Sequence, residues 1–256
     1  MELTFAIARN NIEVLRANTL ASPCLNHPCV AKTLIQCDFA SAALAYNDAL
    51  DKSVTDLVVF AHQDLFFPKN WIDRVIDSIA VLNTTDPSWG ILGCFGVSAA
   101  GAHYGRVYSA GLGTIGTSID QPTCIQTLDE IVLIMRKSSG LSFDNALPGF
   151  HFYGADICMQ ASERGLRSYA IPAFCVHNTQ MPLVLPPEFY QCYRQFKRKW
   201  RHRLPVHTSC ITVTRFDREL WLRRLRETYI AHIAKRRPEV TRLADPGSIL
   251  KMGIDG

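Results

Sequence analysis

Three stretches of this 256-residue chain carry side chains whose type and spacing could do chemistry. In Phe60-Ala-His-Gln-Asp64, an apolar run leads straight into His62, Gln63 and Asp64, and apolar residues then resume. An acid at the carboxyl end of a buried strand can hold a divalent cation and, through it, a diphosphate. The same acid could equally be a turn or N-cap residue. In Phe150-His-Phe-Tyr-Gly-Ala-Asp156, a carboxylate lands in the first turn of a helix after an aromatic-rich loop. The helix dipole alone favours an acid there. A rigid helix start would also give a general base the precision it needs at a pocket mouth. In Cys175-Val-His177-Asn178, a histidine ends a short strand, as a metal ligand or an ordinary hydrogen-bonded residue.

Such groups work only if the chain positions them. Residues 3–8 form an apolar run read as a first strand rather than a signal peptide, because no basic region precedes it. Asn10 and Asn11 follow as loop or N-cap residues, and a short helix ends at Pro23. Strands are expected over 30–35, 57–61, 91–97, 128–135, 169–171 and 174–177. Helices are expected over 40–50, from Pro68 to about Leu82, and over 154–163 with Gly165 as C-cap. Asp129 and Glu130 interrupt the strand over 128–135. The Gly-rich stretch 93–116 has no G-x-G-x-x-G before a helix and no Walker lysine, and reads as a hairpin or mobile loop. Strand–helix alternation predicts an α/β fold with a mostly parallel sheet, in which ligands bind beyond the carboxyl ends of the strands.

Composition narrows the class. A hydrophobic fraction of 48% and a charged fraction of 20% exclude disordered, collagen-like and coiled-coil chains. No window approaches the roughly 18 apolar residues of a membrane span. Nine cysteines with irregular spacing and no C-x-x-C predict reduced, mostly buried thiols of a cytosolic protein. Cys24, His27 and Cys29 would be half of a metal site, and the other half is missing. The net charge of +4 conceals a basic tail: residues 194–242 hold fifteen Lys and Arg against four Asp and Glu. Leu185-Pro-Pro marks a boundary, so residues 1–185 are expected to form the catalytic domain and 186–256 a basic, mainly helical extension. In the extension, Phe189, Cys192, Tyr193, Phe196 and Trp200 share one helical face, with Arg194, Lys197, Arg198, Lys199 and Arg201 around it. Leu220, Leu222, Leu225, Tyr229 and Ile230 mark a second amphipathic helix.

The order of these pieces resembles the family 2 glycosyltransferases with the glycosyltransferase-A fold, in particular bacterial capsule-type relatives. The resembling stretches are Ala40-Ser-Ala-Ala-Leu-Ala-Tyr-Asn47-Asp-Ala-Leu, Asp56-Leu-Val-Val-Phe-Ala-His-Gln-Asp64, and Leu141-Ser-Phe-Asp144 running to Phe152-Tyr-Gly-Ala-Asp156. Gly165-Leu and Ile171-Pro-Ala-Phe-Cys-Val-His177 complete the series, which covers about residues 3–180. The resemblance implies that Ala8, Arg9 and Asn10 line the nucleotide, with Asp38 near the nucleoside, Asn47 facing the donor, and Gln63 beside it. Asp64 matches the last acid of the family's Asp-x-Asp metal motif, where His62 replaces the first, and His177 matches a further metal position. Asp129 and Tyr153 would lie near the acceptor. Asp156 matches the catalytic base, although Ala155 stands where the family has Glu.

The implied reaction is metal-assisted, inverting transfer of a sugar from a nucleotide-sugar donor to an acceptor hydroxyl, with Mg²⁺ or Mn²⁺ as cofactor. The acceptor is expected to be a saccharide or lipid-linked. The basic tail is expected to give peripheral contact with the inner face of a membrane, with no nucleic acid as partner. Two other readings remain open: a nucleotidyltransferase, and a non-catalytic nucleotide- or anion-binding protein.

Overall fold

In a computed structural model of the chain, residues 1–180, 185–229 and 240–252 are described. The first half runs β1 (Leu3–Arg9), α1 (Ile12–Ala17), β2 (Val30–Cys37), α2 (Ala42–Lys52), β3 (Leu57–His62), β4 (Leu65–Phe66), α3 (Trp71–Thr85) and β5 (Trp89–Gly93). Short strands follow: β6 (Gly96–Val97), β7 (His103–Tyr104), β8 (Val107–Ser109), β9 (Gly113–Ile115), β10 (Thr123–Ile125) and β11 (Thr127–Leu128). Then come β12 (Val132–Arg136), α4 (Tyr153–Glu163), β13 (Arg167–Ala170), β14 (Cys175–His177) and α5 (Pro187–Lys199). The hairpin of β15 (Val206–His207) and β16 (Thr212–Val213) leads into α6 (Arg218–Thr228).

The main sheet has the order β10-β13-β5-β12-β3-β1-β2. Five of its seven strands run in one direction and β12 and β10 run against them, so the sheet is mostly parallel, as expected. Central strands bury both faces, because alternate residues enter opposite cores. On β3, Val58 and Phe60 join one core while Leu57, Val59 and Ala61 join the other; on β12, Leu133 and Met135 part from Val132 and Ile134 in the same way. The first core lies under α2, α4 and α5, and the second under α3. Helix α3 presents Trp71, Ile72, Val75, Ile79 and Leu82 at helical spacing. Helices α1 and α2 start where Asn11 and Ser41 accept backbone N–H groups of their first turns.

The sequence pattern ran two pairs of strands together. The expected strand 91–97 breaks at Cys94-Phe95, and 128–135 breaks at Asp129–Ile131. The chain turns sharply at both because backbones cross closely. A Cβ on Gly93 would lie 2.8 Å from the Val132 carbonyl, and one on Gly96 2.8 Å from that of Thr127. The Gly-rich stretch forms β6 to β9, with β8 and β9 as an antiparallel hairpin.

A smaller sheet, β4-β14-β8-β9, begins just beyond the carboxyl end of β3. Residues 240–252 return onto it, packing Ile249 and Leu243 against Phe174 and Val176. Helix α5 buries Phe189, Cys192, Tyr193, Phe196 and the following Trp200 in the core shared with α2 and α4. Burial of each such large side chain contributes about 1.5–3 kcal/mol. Helix α6 behaves differently from the expected amphipathic helix. Leu220 is its inward residue, whereas Leu222, Leu225 and Tyr229 are exposed; Ile230 lies outside the described residues. All nine cysteines are free.

Candidate active site

His62 ends β3, Asp64 sits in the turn to β4, and His177 ends β14, which pairs with β4. The turn is fixed by Thr19, whose hydroxyl lies 2.9 and 3.0 Å from the carbonyls of His62 and Leu65 and shares its one proton between them, and by the Asn178 N–H donating to the Asp64 carbonyl at 2.8 Å. Potential ligand atoms of His62, Asp64 and His177 therefore lie within 4.8 Å of one another. They are the one group of this kind among the described residues. The imidazole of His177 approaches Asp64 at 3.4 Å.

The electrostatics of the three are linked. Burial pushes His62 down to about 4, with Asp64 opposing, so its ring is neutral at pH 7. Burial would raise Asp64, but the charge and hydrogen bond of His177 hold it well below the usual carboxylate range. Burial would lower His177, and Asp64 outweighs that and raises it.

Tyr153, at the start of α4, fixes the remaining orientation. Its hydroxyl donates to the Glu130 carbonyl at 2.8 Å and lies 2.8 Å from His62 Nε2. A phenol has one proton, so His62 Nε2 must be the donor in the second contact, which leaves Nδ1 with a free lone pair. A neutral imidazole held in this way by an outer partner is the usual state of a metal-binding histidine. Two imidazoles and one carboxylate make a mixed nitrogen–oxygen donor set that fits a divalent transition metal.

Two further acids border the cluster. Asp129 and Glu130 fill the break between β11 and β12, and His62 N–H donates to the Ile131 carbonyl at 3.1 Å. Asp129 spends Oδ1 on the Ile131 N–H at 3.1 Å. Glu130 is pushed well above the carboxylate range by desolvation and by Asp129, against backbone N–H groups of Gly154 and Phe152 that favour its charged form. Gly154 is required there, since a Cβ would lie 2.9 Å from Glu130 Cγ and 3.1 Å from the Leu128 carbonyl.

The residues expected around a nucleotide divide into two groups. Ala8 is in register with His62 on one side and Gln36 on the other, at the carboxyl end of β1. Arg9 Nε donates to Cys37 Sγ at 3.1 Å. The N–H groups of Asn10 and Asn11 donate to Gln63 Oε1 at 3.1 and 2.9 Å, tying the loops after β1 and β3 together. Asp38 follows β2, exposed and left-handed at φ 64°, a conformation uncommon outside glycine. Asn47 stands apart. Its side-chain amide donates to the Phe143 carbonyl and Asn145 Oδ1, both at 2.8 Å, and accepts the Phe143 N–H at 2.9 Å. Both ends of the amide are thus committed to the loop before α4.

Asp156 has a setting unlike that of a base at a pocket mouth. It is 1% exposed. Trp200 Nε1 donates to Oδ1 at 2.7 Å, and Gln160 Nε2 and Lys199 Nζ donate to Oδ2 at 2.7 and 2.9 Å. Lys199 also binds Asp144 at 2.6 Å. Desolvation raises Asp156, with Lys199 the leading opposing influence. Phe152 enters α4 at φ 67° and places its ring against Phe189, Tyr193 and Phe196 of α5. The carboxylate expected to take a proton also joins α4 to α5. The signal for this lay in the heptad spacing of Lys199 from Cys192, which sets a cation at the edge of the buried face of α5 and calls for an acid opposite.

No family model matches the chain. The ATP synthase subunits region ORF 6 protein of Fuscovulum blasticum is 28% identical over 165 residues, 60% of this chain and 64% of that protein. The chain thus matches less than two thirds of that relative's length. Among solved structures, GalNAc-T7 with UDP, GalNAc and Mn²⁺ superposes at a TM-score of 0.50 and 9% identity, over 93% of this chain and 58% of its own. TarS from S. aureus in complex with UDP-GlcNAc gives 0.49 and 12%, over 78% and 66%. Mannosyltransferase PcManGT from Pyrobaculum calidifontis with GDP-Man and Mn²⁺ gives 0.47 and 12%, over 70% and 57%. Likeness at such identities is one of fold: the sheet and its flanking helices follow the fold of GalNAc-T7, at the TM-score of 0.50.

Proposed function

We propose that the chain is a nucleotide-sugar-dependent glycosyltransferase of the inverting type. The observation that carries this reading is the cluster of His62, Asp64 and His177 beyond the carboxyl end of β3, where open α/β sheets bind ligands. The fold match supports it. In this reading His62, Asp64 and His177 hold a divalent cation, and two nitrogen donors favour Mn²⁺ over Mg²⁺, which prefers oxygen. When bound, the cation supplies charge to offset that developing on a departing diphosphate. Ala8, Arg9, Asn10, Asp38 and Gln63 form the nucleoside side of the site.

The reaction is a single displacement at the anomeric carbon. The acceptor oxygen forms the new bond while the bond to the diphosphate oxygen breaks, and the electron pair leaves with the diphosphate. The proton of the acceptor hydroxyl needs a carboxylate with an open oxygen. Asp129, expected on the acceptor side, has Oδ1 committed to the Ile131 N–H and no hydrogen-bond partner on Oδ2 among the described residues, and we assign the proton to it. Asp156 would first have to release Lys199, Trp200 and Gln160. The acceptor class that suits this chemistry is a saccharide or lipid-linked hydroxyl.

The test is a thermal-shift series with UDP and GDP, each with and without Mn²⁺, followed by release of nucleoside diphosphate from the matching sugar donors. A ligand that binds only the native state raises its stability. Stabilisation by nucleotide only when Mn²⁺ is present supports the reading. Absence of any nucleotide effect with Mn²⁺ overturns it.

A further inference from the structure

Helix α6 is amphipathic the wrong way round for a packed helix. Its inward arc carries Leu220, Glu227 and Arg223. Glu227 is buried, held by Arg223 at 3.1 Å, Tyr190 at 3.0 Å and the Leu185 N–H at 3.2 Å. At 100° per residue, Trp221, Leu225, Tyr229 and Leu222 fall within one arc of about 100°, directly opposite Glu227. All four are exposed, Trp221 at 61%, and Phe216 just before the helix is 84% exposed.

The charge around this apolar stripe is predominantly positive. Arg215, Arg218, Arg224 and Arg226 form no ion pair among the described residues. The nearby acids are all engaged: Asp217 by Lys197 and Tyr193, Glu227 as above, and Glu219 by the Thr212 N–H at 3.1 Å. Trp and Tyr beside Arg on an outward apolar stripe are the composition of helices that lie in a lipid interface, with rings among the acyl boundary and guanidinium groups on anionic headgroups.

We infer that α6, with Phe216, docks this protein on the surface of an anionic lipid bilayer. A second copy of the chain fits less well. Five side chains fall short of the roughly 20–30 residues per side of a stable protein interface. Pairing α6 across a twofold axis would also bring like-charged arginines together. The docking surface stands on its own geometry, independent of the proposed transferase reaction.

Tryptophan fluorescence tests it cleanly. Of the four tryptophans, Trp71, Trp89 and Trp200 are at most 1% exposed, so Trp221 dominates any response to solvent or vesicles. Vesicles containing phosphatidylglycerol should shift the emission to the blue and protect it from acrylamide, whereas pure phosphatidylcholine should not. Trp221→Phe should abolish the shift. Leu222→Ser with Leu225→Ser, both at exposed positions, should weaken vesicle binding about tenfold or more. Arg218→Glu with Arg226→Glu should do the same, and so should salt near 1 M, where the Debye length is roughly 3 Å. No shift with phosphatidylglycerol, an equal shift with phosphatidylcholine, or protection of Trp221 by dimer formation without vesicles would each overturn the assignment.

Discussion

Asp64 and Asp156 are both sheltered acids next to secondary-structure ends, and the chain gives them opposite tasks. Asp64 faces two imidazoles, and His177 holds its carboxyl well below the usual range. Imidazoles can turn a lone pair toward a cation, so this surrounding can be reorganised around a ligand. Asp156 faces an ammonium, an indole N–H and an amide N–H, donors with nothing else to offer. Its surrounding is already complete. An acid's role is set by what its neighbours can still give up, and position at a strand or helix end does not reveal it.

The sharpest way to break this contrast is Asp64→Asn. Nucleoside diphosphate binding that depends on Mn²⁺ should be lost, a larger effect than the roughly 10–100-fold that removal of an outer partner of a metal site costs. Titration calorimetry with Mn²⁺ and UDP or GDP measures it, and unchanged binding would remove Asp64 from the site. Next is Lys199→Met, which strands two carboxylates at once. Breaking a buried pair costs about 3–5 kcal/mol, and partial exposure of Lys199 argues for the low end. For a chain of this size each kcal/mol is roughly 2–4 °C of melting temperature. A drop within 2 °C would show that the α4–α5 joint does not depend on Lys199.

Asp156→Asn separates anchor from base. The amide still accepts from Trp200 but loses its charge opposite Lys199 and turns a donor toward Gln160, for a loss of about 1–3 kcal/mol. Donor turnover should persist at a temperature where the variant is folded. A fall of about a hundredfold or more with an unchanged melting temperature would restore Asp156 as the base.

The sheet was legible because the continuous apolar runs of β1 and β3 and the helical spacing on α3 are local signals. The antiparallel insertion of β12 was not, because strand direction is decided by long-range pairing and buried antiparallel strands read as apolar runs like parallel ones. His62 and Asp64 were legible as polar residues ending an apolar strand, and His177 as a histidine ending another. Their convergence depends on β14 pairing with β4, which no local pattern records. The setting of Glu130 under the start of α4 and the contacts of Asp156 with Lys199 and Trp200 were missed because they join residues far apart in the chain, whereas Gln160 lies one helical turn from Asp156.

Tyr153→Phe is the mildest change and joins the two regions, since Tyr153 stands on α4 one turn before Asp156 and touches His62. Removing the hydroxyl leaves His62 Nε2–H and the Glu130 carbonyl without their shared partner, so some stability is lost whether or not a metal binds. That loss must be separated from any effect on the site. The stabilisation that a saturating cation adds depends on its affinity and not on the starting stability of the protein. If the hydroxyl orients His62 for a metal, affinity for Mn²⁺ should fall about tenfold, the low end for an outer partner. Stabilisation by a fixed excess of Mn²⁺ should then shrink by about 1.4 kcal/mol. If Tyr153 only packs α4 against the sheet, the variant melts lower by the same amount with and without Mn²⁺. Denaturant melts of both proteins, each with Mn²⁺ and with a chelator, give the four values that decide it. An equal Mn²⁺ increment in both proteins would detach His62 from α4, and the site would then rest on β3, β4 and β14 alone.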